Sequence, residues 1–390
     1  MSKTFTRRSD SIEPFQVMNL LARANALQAE GNNVIHLEIG EPDFTTAQPI
    51  LDAAKAAIEA GHTHYTPALG LPELRQAIAT LYKTRYNLDI DYNRILVTSG
   101  GSGALLLASG LLVEAGQHLL MADPGYPCNR NFLRLIEADA KMVATDHTTN
   151  YQLTPELLDQ HWDKNTAGIL VASPANPTGT ILNRAELSGL AKSCQQHKGY
   201  LISDEIYHGL SYDTEAPSAL EVDDNAYILN SFSKYYGMTG WRLGWLVAPL
   251  DAVSSLEKFA QNIYISPASI SQYAALACFT PEAQEIFEAR KAEFAKRRDF
   301  LLPALTELGF KIKTKPDGAF YLYADISAFT DDAYKFCYYF LENQHVAFTP
   351  GLDFGAYKSN AHVRFAYTKS LPVLEEAVER IARGLQSWQG

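Results

Sequence analysis

Lys234 stands in the stretch Ser231-Phe-Ser-Lys234-Tyr-Tyr-Gly-Met-Thr-Gly240-Trp-Arg242, just past an apolar run, Ala226-Tyr-Ile-Leu229, that reads as a buried strand. Burying a lysine's charge is costly, so a lysine kept beside a core strand is a candidate for a depressed pKa and for Schiff-base chemistry. Ser231, Ser233 and Arg242 add donors on either side that suit a phosphate. The plainer reading is a strand end whose lysine reaches solvent between ordinary turn residues.

Four more groups of residues come after apolar runs in the same way, and a fifth lies within one. Thr98-Ser-Gly100-Gly101-Ser102-Gly103 sits between a strand and a helix. Its glycines let the backbone approach a ligand, and the helix start offers free N–H groups, so Gly101 and Ser102 also suit a phosphate. It lacks the Gly-Lys-Ser/Thr of a nucleotide P-loop and fits the dinucleotide fingerprint poorly. Asp204, in Ile202-Ser-Asp204-Glu205-Ile-Tyr207, ends another run, where a carboxylate could pair with a ring nitrogen and Tyr207 reach a neighbouring oxygen. Asn176 is held by Pro174, Pro177 and Gly179, which stiffen the loop that presents it. Tyr126, in Asp123-Pro-Gly125-Tyr126-Pro127, could stack on a flat ring. Arg364, in the alternating stretch His362-Val-Arg364-Phe-Ala-Tyr367, has the fork that suits a carboxylate. Each has a plain structural explanation as a turn, cap, core aromatic or surface ion pair. Jointly they describe one ligand, with a phosphate, a ring nitrogen, a ring oxygen, a flat face and an aldehyde. Pyridoxal phosphate has all of these.

The elements that must position them are set by the spacing of apolar residues. Strands are expected at Ile95–Val97, Leu119–Ala122, Ile169–Ala172, Leu201–Ser203, Tyr227–Leu229 and Leu243–Val247, with helices near 104–114, 127–138, 184–197 and 251–260 between most of them. Thr154-Pro-Glu156, and Asn183 with Glu186, read as helix starts. Buried runs alternating with helices imply a mainly parallel sheet covered on both faces. Upstream, helices are expected over 14–30, 50–60 and 72–86, with a short strand at Val34–Ile39 running into the Gly40-Glu-Pro-Asp43 turn. After about residue 281 a long helix (282–309) precedes strands at Phe310–Thr314 and Ala319–Ala324, a helix at 331–343, a strand at His362–Tyr367 and a helix at 371–387.

The composition is that of an ordinary soluble globular chain. A net charge of −11 argues against nucleic acid, which needs excess Lys and Arg. Cysteines 128, 194, 278 and 337 lie far apart without a CxxC pair, which disfavours a disulfide scaffold or metal site and fits a reducing, cytoplasmic compartment. The first ten residues are polar, and no run approaches the roughly 20 apolar residues of a membrane span.

Taken in order, Gly40-Glu-Pro-Asp-Phe44, Tyr65-Thr-Pro, Gly101-Ser102, Pro124-Gly-Tyr126, Asn176-Pro-Thr-Gly179, Ser203-Asp-Glu-Ile-Tyr207, Ser231-x-Ser-Lys234, Gly240-Trp-Arg242 and Arg364 resemble the fold-type I pyridoxal-phosphate enzymes, and among them the class I aminotransferases of the bacterial aspartate/alanine/aromatic branch. The resemblance runs from about Arg23 to Arg383. It implies a large α/β domain (46–281) with a mixed, mostly parallel seven-stranded sheet, and a smaller α/β domain from both chain ends (1–45 and 282–390). It also implies roles. Lys234 holds pyridoxal 5'-phosphate as an internal aldimine and later carries the Cα proton; Asp204 keeps the ring nitrogen protonated; Tyr207 and Asn176 bond the ring oxygen; Tyr126 stacks on the ring. Gly101, Ser102, Ser231, Ser233 and Arg242 bind the phosphate, and Arg364, with Asn176 and the Gly40 backbone, grips the substrate carboxylate. Tyr65 is similar to a tyrosine that reaches the phosphate of a neighbouring subunit, which implies a homodimer with shared sites.

The activity implied is transfer of an amino group from an L-amino acid to a 2-oxo acid. The positions matched to residues that bind a distal carboxylate in aspartate enzymes hold Phe15, Val17 and Ser102 here. Two apolar side chains and a missing cation leave such a carboxylate unpaired, so apolar, small or aromatic donors are expected over aspartate, with glutamate/2-oxoglutarate still able to serve as the second pair. The same residues serve C–S β-lyases and related elimination enzymes, the alternative reading.

Overall fold

A computed structural model describes residues 5–12 and 14–390. In chain order its strands are β1 (Ile35–His36), β2 (Ile95–Thr98), β3 (His118–Asp123), β4 (Asp139–Ala144), β5 (Thr166–Ala172), β6 (Tyr200–Asp204), β7 (Tyr227–Ser231), β8 (Gly244–Val247), β9 (Tyr321–Asp325), β10 (Val346–Ala347), β11 (Thr349–Pro350) and β12 (His362–Ala366). Seven of them form one sheet in the order β2-β8-β7-β6-β5-β3-β4. β8 runs antiparallel to both its neighbours and the other pairs are parallel. β2, β7 and β8 are buried at every residue, which explains why they read as continuous apolar runs without alternation. Because β2 and β7 are both antiparallel to β8, they point the same way, and β2, β3, β5, β6 and β7 all end on one edge of the sheet.

Several expectations need correction. β4 is additional to the expected strands: Asp139-Ala-Lys-Met-Val-Ala is an edge strand, half exposed and charged, so it lacks the apolar run of its neighbours. Phe310–Thr314 is not a strand; Lys311 makes a single bridge to Asp325, the last residue of β9, before the chain turns away at Pro316. At Val34–Ile39 only Ile35 and His36 pair, with β10. A helix at Ser269–Leu276 is also additional; half of its residues are small and give little periodic signal. Elsewhere the helices fall near their expected places: Pro72–Tyr86 and Leu371–Ser387 match in full, and the helix expected from 104 begins already at Gly100. Asn183 and Glu186 form the expected capping box, and Thr154 Oγ accepts the Leu157 N–H at 3.3 Å.

β9, β11 and β12 make a second, antiparallel sheet in the order β11-β12-β9. It is stitched to the N-terminal segment: β1 pairs in parallel with β10, Leu37 N–H donates to Ala347 O (2.8 Å), and Ala366 N–H donates to Leu37 O (2.7 Å). These bonds set Glu38, Ile39 and Gly40 beside β12, facing the edge where the large sheet's strands end.

Candidate active site

The lysine loop is anchored from below by aromatic packing. Phe232, Tyr235, Tyr236 and Met238 are buried, with Phe232 4.9 Å from Trp245 and Tyr236 5.4 Å from Phe287 between ring centroids. Each such ring contributes about 2–3 kcal/mol of apolar burial, so Lys234 projects from a rigid base. Its Nζ donates to the Gly40 carbonyl at 2.8 Å and lies 5.7 Å from the Tyr207 ring centre. Burial lowers the amine from 10.5 to about 8; Arg364 and Arg242 push the same way, while Glu41 and Asp204 oppose.

Asp204 ends β6 and is 7% exposed. Burial raises it to about 6, against the Ile206 N–H (3.3 Å), the Asn129 side chain and the charge on Lys234. A buried carboxylate this poorly matched by neighbours suits a cationic N–H partner. One turn on, Tyr207 lies beneath Lys234 and its hydroxyl meets that of Tyr321 at 2.9 Å. Asn176 is presented by a loop closed by Ala175 N–H to Thr180 O (2.9 Å) and Gly179 N–H to Ala175 O (2.8 Å). Gly179 has φ +69°, and a Cβ there would strike Pro316 and the Gly318 carbonyl.

Two adjoining chambers result. One, of about 210 Å³, is lined by Asn176, Tyr207, Tyr321 and Arg364 and also by Phe15, Val17 and Met18. The other, of about 280 Å³, is lined by Gly101, Ser102, Ser231, Ser233 and Arg242. Gly40, Tyr126, Asp204, Ile206 and Lys234 face both chambers and form the waist between them.

The hydroxyls, guanidinium and helix start of the second chamber suit an anion, with Glu41 and Asp204 also on its lining. The 13-residue helix Gly100–Leu112 starts there. Ser231 Oγ donates to Ser233 Oγ at 2.9 Å, and the Arg242 guanidinium lies against Gly100, within 2.6 Å of where a Cβ would stand. At the far end of the first chamber, Arg364 is 5% exposed. Its Nη1 donates to Asn176 Oδ1 at 2.9 Å and its Nη2 to the Glu38 carbonyl and to Thr349 Oγ, while its buried Nε has no partner among the described residues. Tyr321 and Phe354 lie 4.3 Å and 4.8 Å from the guanidinium. A buried arginine with donor capacity left beside a cavity can take a carboxylate.

Of the residues singled out from sequence, all but Tyr65 border these chambers. Tyr65 is 79% exposed and lines neither within the single chain. Three further contributors carry no sequence signal. Tyr321 braces Tyr207 and fills the space beside Gly40, Asn129 bonds Asp204, and Asp353 binds the backbone at Gln16 and Val17. Each acts through a partner more than 70 residues away, so no local spacing marks it.

The family model for aminotransferase class I and II matches residues 32–381. Valine–pyruvate aminotransferase of Mycobacterium tuberculosis is 38% identical over 96% of this chain and 97% of its own length. The (5-formylfuran-3-yl)methyl phosphate transaminase of Methanocaldococcus jannaschii is also 38% identical, over 96% and 98%. Among solved structures, an aminotransferase from Mycobacterium tuberculosis superposes with a TM-score of 0.95 at 38% identity, covering 99% of this chain and all of that one.

Proposed function

The chain belongs to the class I and II aminotransferase family, and on that basis we propose that it is a pyridoxal-phosphate-dependent transaminase that prefers apolar, small or aromatic L-amino acids to aspartate. The observation that carries this reading is the waist: a largely enclosed lysine and a buried carboxylate stand between an anion chamber and a carboxylate-binding arginine. The family depends on pyridoxal phosphate, and the residues present fit it. Gly101, Ser102, Ser231, Ser233 and Arg242 would hold the phosphate, Asp204 the ring nitrogen, Asn176 and Tyr207 the ring oxygen, Tyr126 a ring face and Lys234 the aldehyde carbon.

The bound group supplies an aldehyde that captures amines and a ring that takes up the electrons left when Cα loses its proton. The protein's own residues do the rest. Arg364 and Asn176 bind and orient the substrate carboxylate. Lys234, its amine lowered to about 8, would accept the Cα proton at Nζ and deliver it to the cofactor's C4′. Asp204, 7% exposed, would hold a proton at the ring nitrogen. Phe15 and Val17 exclude water from the substrate side chain and give a second carboxylate no partner.

The valine–pyruvate activity of a relative at 38% identity supports the apolar preference, although the furan phosphate enzyme at equal identity shows how far substrates diverge. The homodimer belongs to the same reading, supported by Tyr65 standing exposed with Ile58, Ile263 and Ile265 also exposed. So does a division into 46–281 and a unit from 1–45 and 282–390, supported by the pairing of β1 with β10. Four free cysteines support a cytoplasmic setting.

The test is the visible spectrum of the purified protein as single amino acids are added without a 2-oxo acid. Loss of the lysine-bound band with alanine, valine or phenylalanine, ahead of aspartate, is the expected result. A stable band with pyruvate and ammonia released from a sulfur amino acid would make it an elimination enzyme. No band after incubation with pyridoxal phosphate would sink the role given to Lys234.

A further inference from the structure

We propose that Asp353 is a positioning residue for donor specificity, clamping the start of the N-terminal helix so that Phe15 and Val17 stand over the substrate chamber. The inference rests on the transaminase reading above and deepens it.

The helix Gln16–Ala29 has no capping side chain of its own; Phe15 occupies the N-cap position and cannot accept a hydrogen bond through its ring. Asp353 supplies the missing acceptors from more than 300 residues away. Its Oδ1 takes the Gln16 N–H at 2.7 Å and its Oδ2 the Val17 N–H at 2.8 Å. Both N–H groups lie in the first turn, where the helix leaves them unpaired and its positive end favours a carboxylate. Asp353 is 4% exposed, so bulk water competes little for either bond. Burial pushes the carboxyl up, while the two amides and the Arg364 and Arg130 charges hold it down.

The clamp sits where it can act on specificity. Asp353 belongs to the turn after β11 and precedes Phe354, which packs 4.8 Å from the Arg364 guanidinium. Asp353 and Phe15 line the substrate chamber and also an outer cavity bordered by Arg130, Asn131 and Tyr334. The clamped segment is therefore the wall between the two. Held in place, it offers an apolar side chain contact with Phe15 and Val17, and it sets the negative Asp353 against any donor with a second carboxylate. Released, it lets water and longer polar side chains through.

Two variants test this in the pyridoxal-phosphate-loaded protein. Asp353→Asn turns an amide N–H toward one backbone N–H. Gln16→Pro deletes one donor at the first helical position, which tolerates proline, and leaves Asp353 untouched should the first variant fail to fold. The readouts are amide hydrogen exchange over residues 15–20, and kcat and KM for valine and for aspartate. Exchange should rise about tenfold, KM for valine about tenfold with kcat little changed, and the preference for valine should narrow about tenfold, the size of one charge-assisted hydrogen bond. Unchanged exchange overturns the clamp. Faster exchange with an unchanged preference overturns its role in specificity, as does an equal fall in kcat for both donors. A parent protein that turns over no amino acid sinks the transaminase reading and the specificity role together, and the exchange result then decides the clamp alone.

Discussion

Arg364 Nη1 donates to Asn176 Oδ1 at 2.9 Å, so one bond ties the three-stranded sheet to the loop after β5 on the large sheet. The two residues that meet the substrate carboxylate in the proposed reading thus position each other before substrate arrives.

Arg364→Ala should lower kcat/KM by about 10²–10³-fold, the usual cost of removing one member of a buried charged pair. Arg364→Lys should recover little, because lysine keeps the charge but not the fork. Asn176→Ala should cost less, and the double variant less than the product of the two, because each single change already breaks the shared bond. Steady-state kinetics on all four proteins measure this.

Lys234 sets a pH dependence. Its amine is lowered to about 8, so it is neutral between about 8 and the ordinary 10.5, where an exposed lysine is charged. Reductive labelling of Lys234 by a small aldehyde in cofactor-free protein should therefore rise as pH is raised through about 8. A midpoint near 10.5, read by peptide mass spectrometry, would contradict the enclosed environment. Lys234→Ala should lower turnover by at least about 10³-fold.

Asp204 trades stability for its position. Its folded value is raised from 3.8 to about 6, so the ionised carboxylate destabilises the fold above about pH 6, and the effect fades below about 4, where both states hold the proton. Asp204→Asn should stabilise the cofactor-free protein by about 1–3 kcal/mol at pH 8 and by little at pH 4, while lowering turnover about 100-fold or more. Melting curves at the two pH values, with activity beside them, check both halves.

Gly40 and Tyr321 are matched in shape. A Cβ at residue 40 would overlap the Tyr321 hydroxyl, which also bonds Tyr207. Gly40→Ala should displace Tyr321 and lower kcat/KM about tenfold or more. Adding Tyr321→Phe removes the overlapping oxygen and should restore part of the loss. A double variant worse than Gly40→Ala would show that the hydroxyl's bond to Tyr207 matters more than the space.

The order of residues alone was enough to mark the buried strands and the turns at their ends. Continuous apolar runs such as Ile95–Val97 and Tyr227–Leu229, bounded by turn residues, read as covered strands, and the glycines and prolines after such runs mark turns that present Asn176, Tyr126 and the start of the Gly100 helix. Helix limits were equally local, as at Pro72–Tyr86, which opens on proline and stops at Asn87 with φ +56°. The rest came from long-range pairing in the folded chain. The edge strand β4 carries charge because one side has no neighbour, and the reversal of β8 between β2 and β7 depends on pairing, which composition does not record. Tyr321, Asn129 and Asp353 owe their place in the site to partners 114, 75 and over 300 positions away. A tyrosine, an asparagine and an aspartate look the same in a sequence whether they face water or brace a site, because what distinguishes them is the group the fold brings opposite.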